Sequence, residues 1–193
     1  LPTEVVKREV FGEQFTTICS GGAYLPPAML DLFKKYGIDI LQGYGMTECA
    51  PVISTTLGWN IRKGSVGQLI PNCEAKTVDE ELWVRGSSVM QGYYKMPEET
   101  AETLVDGWLR TGDLGYVDED GFVYFKQRIK RMIVSSGYNI YPQHIENIID
   151  SHPDVLMSCV VAKKHAYKHQ VAKAFVVLKD GIEPTQNLKD EIM

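Results

Sequence analysis

The sequence predicts an α/β layout that gives way to β structure and then to a small α+β unit, and three observations carry that reading. A strand–loop–helix–strand pattern fills the first part, short strands punctuated by Gly, Pro and Asn fill the middle, and a helix with two apolar strands follows. The changes of style divide the chain at 1–63, 64–129 and 130–193.

The first part builds from Phe15-Thr16-Thr17-Ile18-Cys19, β-prone residues that run into the loop Ser20-Gly21-Gly22-Ala23. Pro26-Pro27 opens a helix in which Met29, Leu32, Phe33 and Tyr36 recur at helical spacing, and Gly37 stops it. Ile38-Asp39-Ile40-Leu41 then forms a short strand leading into Gly43-Tyr44-Gly45. Such a unit predicts parallel strands joined by a right-handed crossover. Both glycine loops then share the rim formed by the strand carboxyl ends, where open α/β sheets bind ligands.

In the middle part, Ala75–Val78, Leu82–Arg85, Tyr116-Val117 and Phe122–Phe125 read as strands, the last two joined by an Asp120-Gly121 hairpin turn. They predict an antiparallel module able to curl into a distorted barrel. The third part predicts a helix from Pro142 to before Pro153 with Ile145, Ile148 and Ile149 as its buried stripe, then strands over 155–162 and 171–178. Between these two parts lies the basic run Lys126-Gln127-Arg128-Ile129-Lys130-Arg131, whose plainest reading is a solvated linker.

Bulk properties narrow the function. With 44% hydrophobic and 23% charged residues, the composition is that of a soluble globular chain. A net charge of −5 argues against nucleic acid or anionic membrane as partner. No apolar run approaches the ~18 residues of a spanning helix. Cys19, Cys49, Cys73 and Cys159 are scattered without a Cys-x-x-Cys pair, which predicts reduced thiols and a cytoplasmic location. His165 and His169 have a spacing that would suit a metal on a helix, but Lys163, Lys164 and Lys168 surround them and favour a solvated surface. Leu1 is no initiator, and 185–193 reads as a helix just begun behind Thr185, so the chain is expected to be an internal piece of a longer protein.

Gly43-Tyr44-Gly45-Met46-Thr47-Glu48 carries the most chemistry. Its glycines would let backbone amides approach a phosphate, Thr47 offers a hydroxyl, Glu48 a hard oxygen for Mg2+, and Tyr44 a face for a base. The same residues also describe a tight turn before a helix capped by Thr47. Thr111-Gly112-Asp113 reads either as an Asp turn or as a carboxylate for a ribose diol, and Arg128 as an exposed cation or a partner for phosphate or sugar.

Taken in order, Ser20-Gly21-Gly22-Ala23, Gly43 to Glu48, Gly64-Ser65-Val66-Gly67, Gly92-Tyr93-Tyr94, Gly107 to Leu114 and Gly137-Tyr138-Asn139-Ile140-Tyr141-Pro142 resemble the adenylate-forming superfamily. The resemblance covers essentially the whole chain. Trp108-Leu109-Arg110-Thr111-Gly112-Asp113 behind Pro97-Glu98-Glu99-Thr100 is most similar to the acyl-CoA ligase branch, including long-chain fatty-acid–CoA ligases. It implies the C-terminal part of that family's large domain: the end of the α/β AMP-binding subdomain (1–63), a β-barrel-like subdomain (64–129), and a truncated α+β C-terminal lid domain (130–193).

The resemblance further implies an enzyme that joins a carboxylic acid, of the fatty class, to AMP from ATP and passes the acyl group to coenzyme A. Tyr44 matches the adenine-stacking residue, Gly45 lies in the same nucleotide loop, Thr47 matches a phosphate contact, and Glu48 the Mg2+-linked carboxylate. Asp113 matches the ribose-binding aspartate and Arg128 a second ribose contact. Gly21, Gly22 and Ala23 match the wall between adenine and acyl group. Lys130 matches the hinge before a mobile lid, and Gly137 the lid loop lining the coenzyme A tunnel. ATP or AMP, Mg2+, a carboxylic acid and coenzyme A are thus the implied small-molecule partners, and a homo-oligomer is compatible with the sequence.

Three positions depart from the family pattern. Gln127 and Ser136 stand where glycine is usual, and Tyr24 where proline is common. The family's Ser/Thr/Gly-rich phosphate loop and its adenylation lysine are not in this chain, which implies that the chain by itself is inactive. Two rival readings stand beside the ligase: an adenylating enzyme that loads a carrier protein, and a noncatalytic nucleotide-binding module. Retention of Thr47, Glu48, Asp113 and Arg128 together weighs against the second.

Overall fold

A short helix, α1 (Thr3–Val6), runs through a π-helical turn that brings Phe11 against Phe33, ring centroids 5.9 Å apart. The first sheet then forms from β1 (Thr17–Gly21), β2 (Asp39–Gly45), β3 (Val52–Thr55) and β4 (Gln68–Leu69) in that order. β1 and β2 pair in parallel, with α2 (Pro27–Lys35) between them in sequence, while β2–β3 and β3–β4 are antiparallel. Pro27 sits in the first turn of α2, where its missing N–H has no helical partner to lose. This computed structural model describes residues 2–192, in two units that meet between Lys126 and Gln127.

The second sheet is antiparallel and holds β5 (Cys73–Val78), β6 (Glu81–Gly86), β7 (Leu104–Val105), β8 (Trp108–Val117) and β9 (Val123–Arg128), with α3 (Pro97–Thr103) preceding β7. Its path runs β5-β6-β8-β7 with β9 also on β8, so it curls as a half-barrel sheet. Within the first unit the two sheets share a core of Cys49, Ile53, Val84 and Leu109, against which Tyr44, Met46, Val89 and Met90 pack. Ile53 and Leu109 are fully buried, each stabilising the fold by roughly 1.5–3 kcal/mol. That core anchors the segment around Glu48 from beneath.

The unit from Gln127 onward has a four-stranded sheet in the order β11-β10-β13-β12, from β10 (Ile133–Ser135), β11 (Tyr138–Ile140), β12 (Val155–His165) and β13 (His169–Leu178). The helix α4 (Pro142–Asp150) packs on it, and α5 (Gln186–Ile192) starts behind Thr185, whose Oγ1 accepts the Leu188 N–H at 3.2 Å. Ile133, Ile149, Val155 and Val160 are its core.

Several sequence expectations change here. Gly43, Tyr44 and Gly45 are the last residues of β2 rather than a loop, because β3 pairs alongside them. Thr47 starts a three-residue 3-10 turn, Thr47–Cys49, with no side-chain cap, because Ala50 enters the left-handed region and ends it. Thr111-Gly112-Asp113 is a bulge inside β8 rather than a turn: Trp83 faces Arg110 and Glu81 faces Leu114, so β8 carries extra residues across from β6. In the basic run, Lys126 to Arg128 complete β9 and Ile129–Arg131 form a 3-10 turn, so the run is ordered secondary structure. Ile148 is 71% exposed and Glu146 is buried in its stead. The α4 face that meets β12 carries Glu146, whose Oε1 accepts the Val160 N–H at 2.7 Å and pairs with Arg131, while Ile148 borders an open apolar groove with Val176, Leu188 and Ile192. His165 and His169 face each other across the β12–β13 hairpin rather than along a helix.

Candidate nucleotide site

The parallel ladder brings the two glycine segments together. Gly21 pairs with Gly43, so the end of β1 lies directly beside the last turn-free residues of β2. Thr56 fastens this rim from the other side: its buried Oγ1 accepts the Gln42 N–H at 2.6 Å. Gly45 is required by the return of β3, since a Cβ there would stand 1.9 Å from the Pro51 carbonyl oxygen. Gly21, Gly22 and Ala23 are exposed along the same edge, open to a ligand.

The bulge of β8 aims Asp113 at this rim. Tyr44 Oη donates to Asp113 Oδ2 at 2.7 Å, joining residues 69 apart in sequence. The Tyr44 ring also leans on Phe125, centroids 5.9 Å apart. Asp113 is 1% exposed, and Thr111 Oγ1 accepts its N–H at 3.1 Å while donating to the Leu82 carbonyl. The bulge is held from below by Glu81, a buried carboxylate absent from the sequence-level site. Its Oε1 accepts the Gly112 N–H at 3.0 Å, and its Oε2 accepts Trp83 Nε1 at 3.0 Å and Arg110 Nε at 3.2 Å. A charge at the start of a strand otherwise reading Leu82-Trp83-Val84 is the signal that could have marked it.

Thr47 is exposed and Glu48 half-buried on the 3-10 turn after β2. Met90 donates its N–H to the Glu48 carbonyl at 2.8 Å, and Tyr93 Oη donates to Glu48 Oε1 at 2.8 Å. That hydrogen bond, with burial second, raises the Tyr93 phenol above its ordinary range. The neighbouring Cys49 is driven by burial, then by Cys73 and the Glu48 charge, to about 12, so it is a neutral core thiol. All four cysteines are free thiols, Cys19 and Cys159 exposed. Among the described residues no group of three His, Cys, Asp or Glu side chains forms a metal cage. The Glu48 carboxylate is a hard oxygen donor of the kind that suits Mg2+, which commonly takes one or two carboxylates and arrives with substrate phosphates.

Arg128, Lys130 and Gly137 belong to the second unit and are exposed. Lys130 lies in the 3-10 turn after β9. Ser136 and Gly137 form the two-residue turn between β10 and β11, with φ of 50° and 84°. That left-handed pair accounts for a preference for glycine at 136, which serine satisfies at some conformational cost.

The site is thus a parallel strand rim carrying a hydrogen-bonded aromatic–aspartate pair, with the Glu48 carboxylate on the turn that follows β2. The chain belongs to the AMP-binding enzyme family, the adenylate-forming CoA ligases: the family's main profile matches residues 3–94, and that of the AMP-binding enzyme C-terminal domain matches residues 144–193. It is 40% identical over 176 residues to a long-chain-fatty-acid–CoA ligase of Bacillus subtilis, covering 84% of this chain and 31% of that protein. Among solved structures, the o-succinylbenzoate CoA synthetase of Bacillus subtilis with its acyl-adenylate intermediate matches with TM-score 0.81 and 29% identity over 96% of this chain and 42% of that one. The same enzyme with ATP and magnesium ion matches with TM-score 0.79 and 32% identity, over 92% and 39%. The chain thus spans well under half the length of these relatives. No helix among the described residues is long and apolar enough to cross a membrane.

Proposed function

We propose that this chain supplies the adenosine-binding half of an AMP-forming acyl-CoA ligase acting on a carboxylic acid of the fatty class. The observation that carries the reading is the Tyr44–Asp113 hydrogen bond beside the paired Gly21 and Gly43. It fixes an aromatic ring and a buried carboxylate side by side at one rim, the two groups that a base and its ribose require.

In this reading Tyr44 stacks on adenine, Asp113 accepts the ribose hydroxyls, and Arg128 adds a second ribose contact. Gly21, Gly22 and Ala23 separate adenine from the acyl group. Thr47 donates to a phosphate oxygen and Glu48 holds Mg2+, which when bound neutralises charge on the phosphoryl oxygens and the leaving pyrophosphate. The carboxylate of the acid attacks the α-phosphorus, pyrophosphate leaves, and the thiol of coenzyme A then displaces AMP. Lys130 acts as the hinge between the two half-reactions, and Gly137 lines the path of the thiol.

The test is exchange of labelled pyrophosphate into ATP by the complete protein that contains this chain, across a panel of carboxylic acids. Exchange that rises with acyl chain length supports the fatty-acid reading. No exchange with any acid overturns the ligase in favour of a noncatalytic nucleotide module. Thioester formed on a holo carrier protein but not on free coenzyme A would reassign the acceptor.

A further inference from the structure

We infer that Tyr93 is the positioning residue for Glu48, and that it sets how strongly the protein couples metal binding to nucleotide binding. The inference rests on the reading of Glu48 as the metal-linked carboxylate and adds to it a residue with no role so far.

Three contacts converge on that assignment. Tyr93 Oη donates to Glu48 Oε1 at 2.8 Å, so one oxygen of this half-buried carboxylate is tied. The chain just before Tyr93 is tied to the same residue, through the Met90 N–H on the Glu48 carbonyl at 2.8 Å. Tyr93 is itself fixed: its N–H donates to Thr100 Oγ1 at 2.9 Å, and Thr100 Oγ1 donates to the Met96 carbonyl at 2.7 Å in the first turn of α3. Gly92 completes the support. Its φ of 148° and the Thr100 methyl, 2.7 Å from where a Cβ would stand, leave room for glycine alone.

The physical consequence is orientational. A lone carboxylate on a three-residue 3-10 turn would sample several rotamers, and ordering it costs free energy at the moment the metal binds. A phenol already bonded to one oxygen removes that cost beforehand, as partners of metal-binding carboxylates do.

The test uses the complete protein with a nonhydrolysable ATP analogue, measured with and without Mn2+ as a spectroscopically visible stand-in for Mg2+. The ratio of the two affinities reads the metal coupling, and AMP affinity reads the adenosine site alone. Tyr93→Phe keeps the ring and is expected to cut the coupling ratio about tenfold while AMP affinity holds, within the range for such supporting partners. On a Glu48→Gln background the same substitution is expected to change nothing further, which a merely structural tyrosine would not obey. Thr100→Val, which leaves the phenol but frees its main chain, is a second perturbation and is expected to lower the ratio by a smaller factor. An unchanged ratio in Tyr93→Phe and Thr100→Val, with Glu48→Gln abolishing it, overturns the positioning role alone. An unchanged ratio in Glu48→Gln removes the premise, and the role of Tyr93 with it. Equal losses of AMP and metal-dependent binding also overturn the proposal.

Discussion

Each unit of the molecule buries one glutamate against a backbone amide and an arginine, and puts it to a different use. In the first unit Glu81, 6% exposed, accepts from the Gly112 N–H, Trp83 and Arg110, and so holds the β8 bulge that aims Asp113. In the second, Glu146, 5% exposed, accepts from the Val160 N–H and pairs with Arg131, and so ties the segment after Lys130 to α4 and β12. Glu81 lies one layer beneath a polar rim, whereas Glu146 sits beside Ile149 and Val160 in an apolar core. The same device therefore holds a strand bulge beneath the proposed nucleotide site in one unit and a helix–sheet contact in the other.

The sharpest way to break this comparison is at the end of the Glu81 chain of support. Asp113→Ala is expected to weaken AMP binding by about 1.5–3 kcal/mol, the range for hydrogen bonds to charged groups, and to leave a 2′,3′-dideoxy analogue nearly unaffected. Calorimetry on both ligands decides it; equal losses would remove Asp113 from the ribose.

The two glutamates come next. Glu146→Ala strands the Val160 N–H and is expected to cost about 1–3 kcal/mol of stability, read by denaturant unfolding and by faster exchange at that amide, with AMP affinity unchanged. Glu81→Ala should show a similar loss of stability together with weaker AMP binding. If Glu81→Ala left nucleotide affinity intact, the distinction between the two units would collapse.

Tyr44→Phe keeps the ring and removes only the bond to Asp113. About 1 kcal/mol, or roughly a fivefold rise in the AMP dissociation constant, is expected. A change of the size seen for removing the whole ring would mean that Asp113 is misplaced without it.

The smallest effect concerns pH. Burial opposes the charged form of Asp118, but the Phe122 N–H and the Arg62 guanidinium outweigh it and hold the carboxyl below its ordinary range. A depressed carboxylate stabilises the fold above its unfolded pKa and loses that contribution as pH falls through the lower folded value. Asp118→Asn should therefore make unfolding between neutral pH and about pH 3 slightly less pH-dependent, as a set of thermal midpoints would reveal.

Much of the architecture was readable from local signals. Pro26-Pro27 and Gly37 bracket α2, Asp120-Gly121 turns β8 into β9, and Thr185 opens α5, because each depends on backbone preferences within a few residues. The residues of the proposed site are legible as types in order along the chain, from Gly21 through Tyr44 and Glu48 to Asp113. Their supports are not. Glu81 has no role in the sequence reading and Tyr93 only a place in Gly92-Tyr93-Tyr94; the Gly112 and Glu48 contacts they make join them to the proposed site. Ile148 failed in the opposite sense: helical spacing includes it in a stripe, but packing of α4 on β12 turns the buried face toward Glu146.

The sequence alone, then, determined those elements that short stretches fix, such as α2, the β8–β9 turn and α5, and which functional groups are available, since propensity, capping and turn chemistry act over a few residues. The tertiary structure alone decided that Tyr44 meets Asp113 and that Tyr93 meets Glu48. Those meetings depend on a bulge, a parallel register and a shared core, each the outcome of packing between segments tens of residues apart.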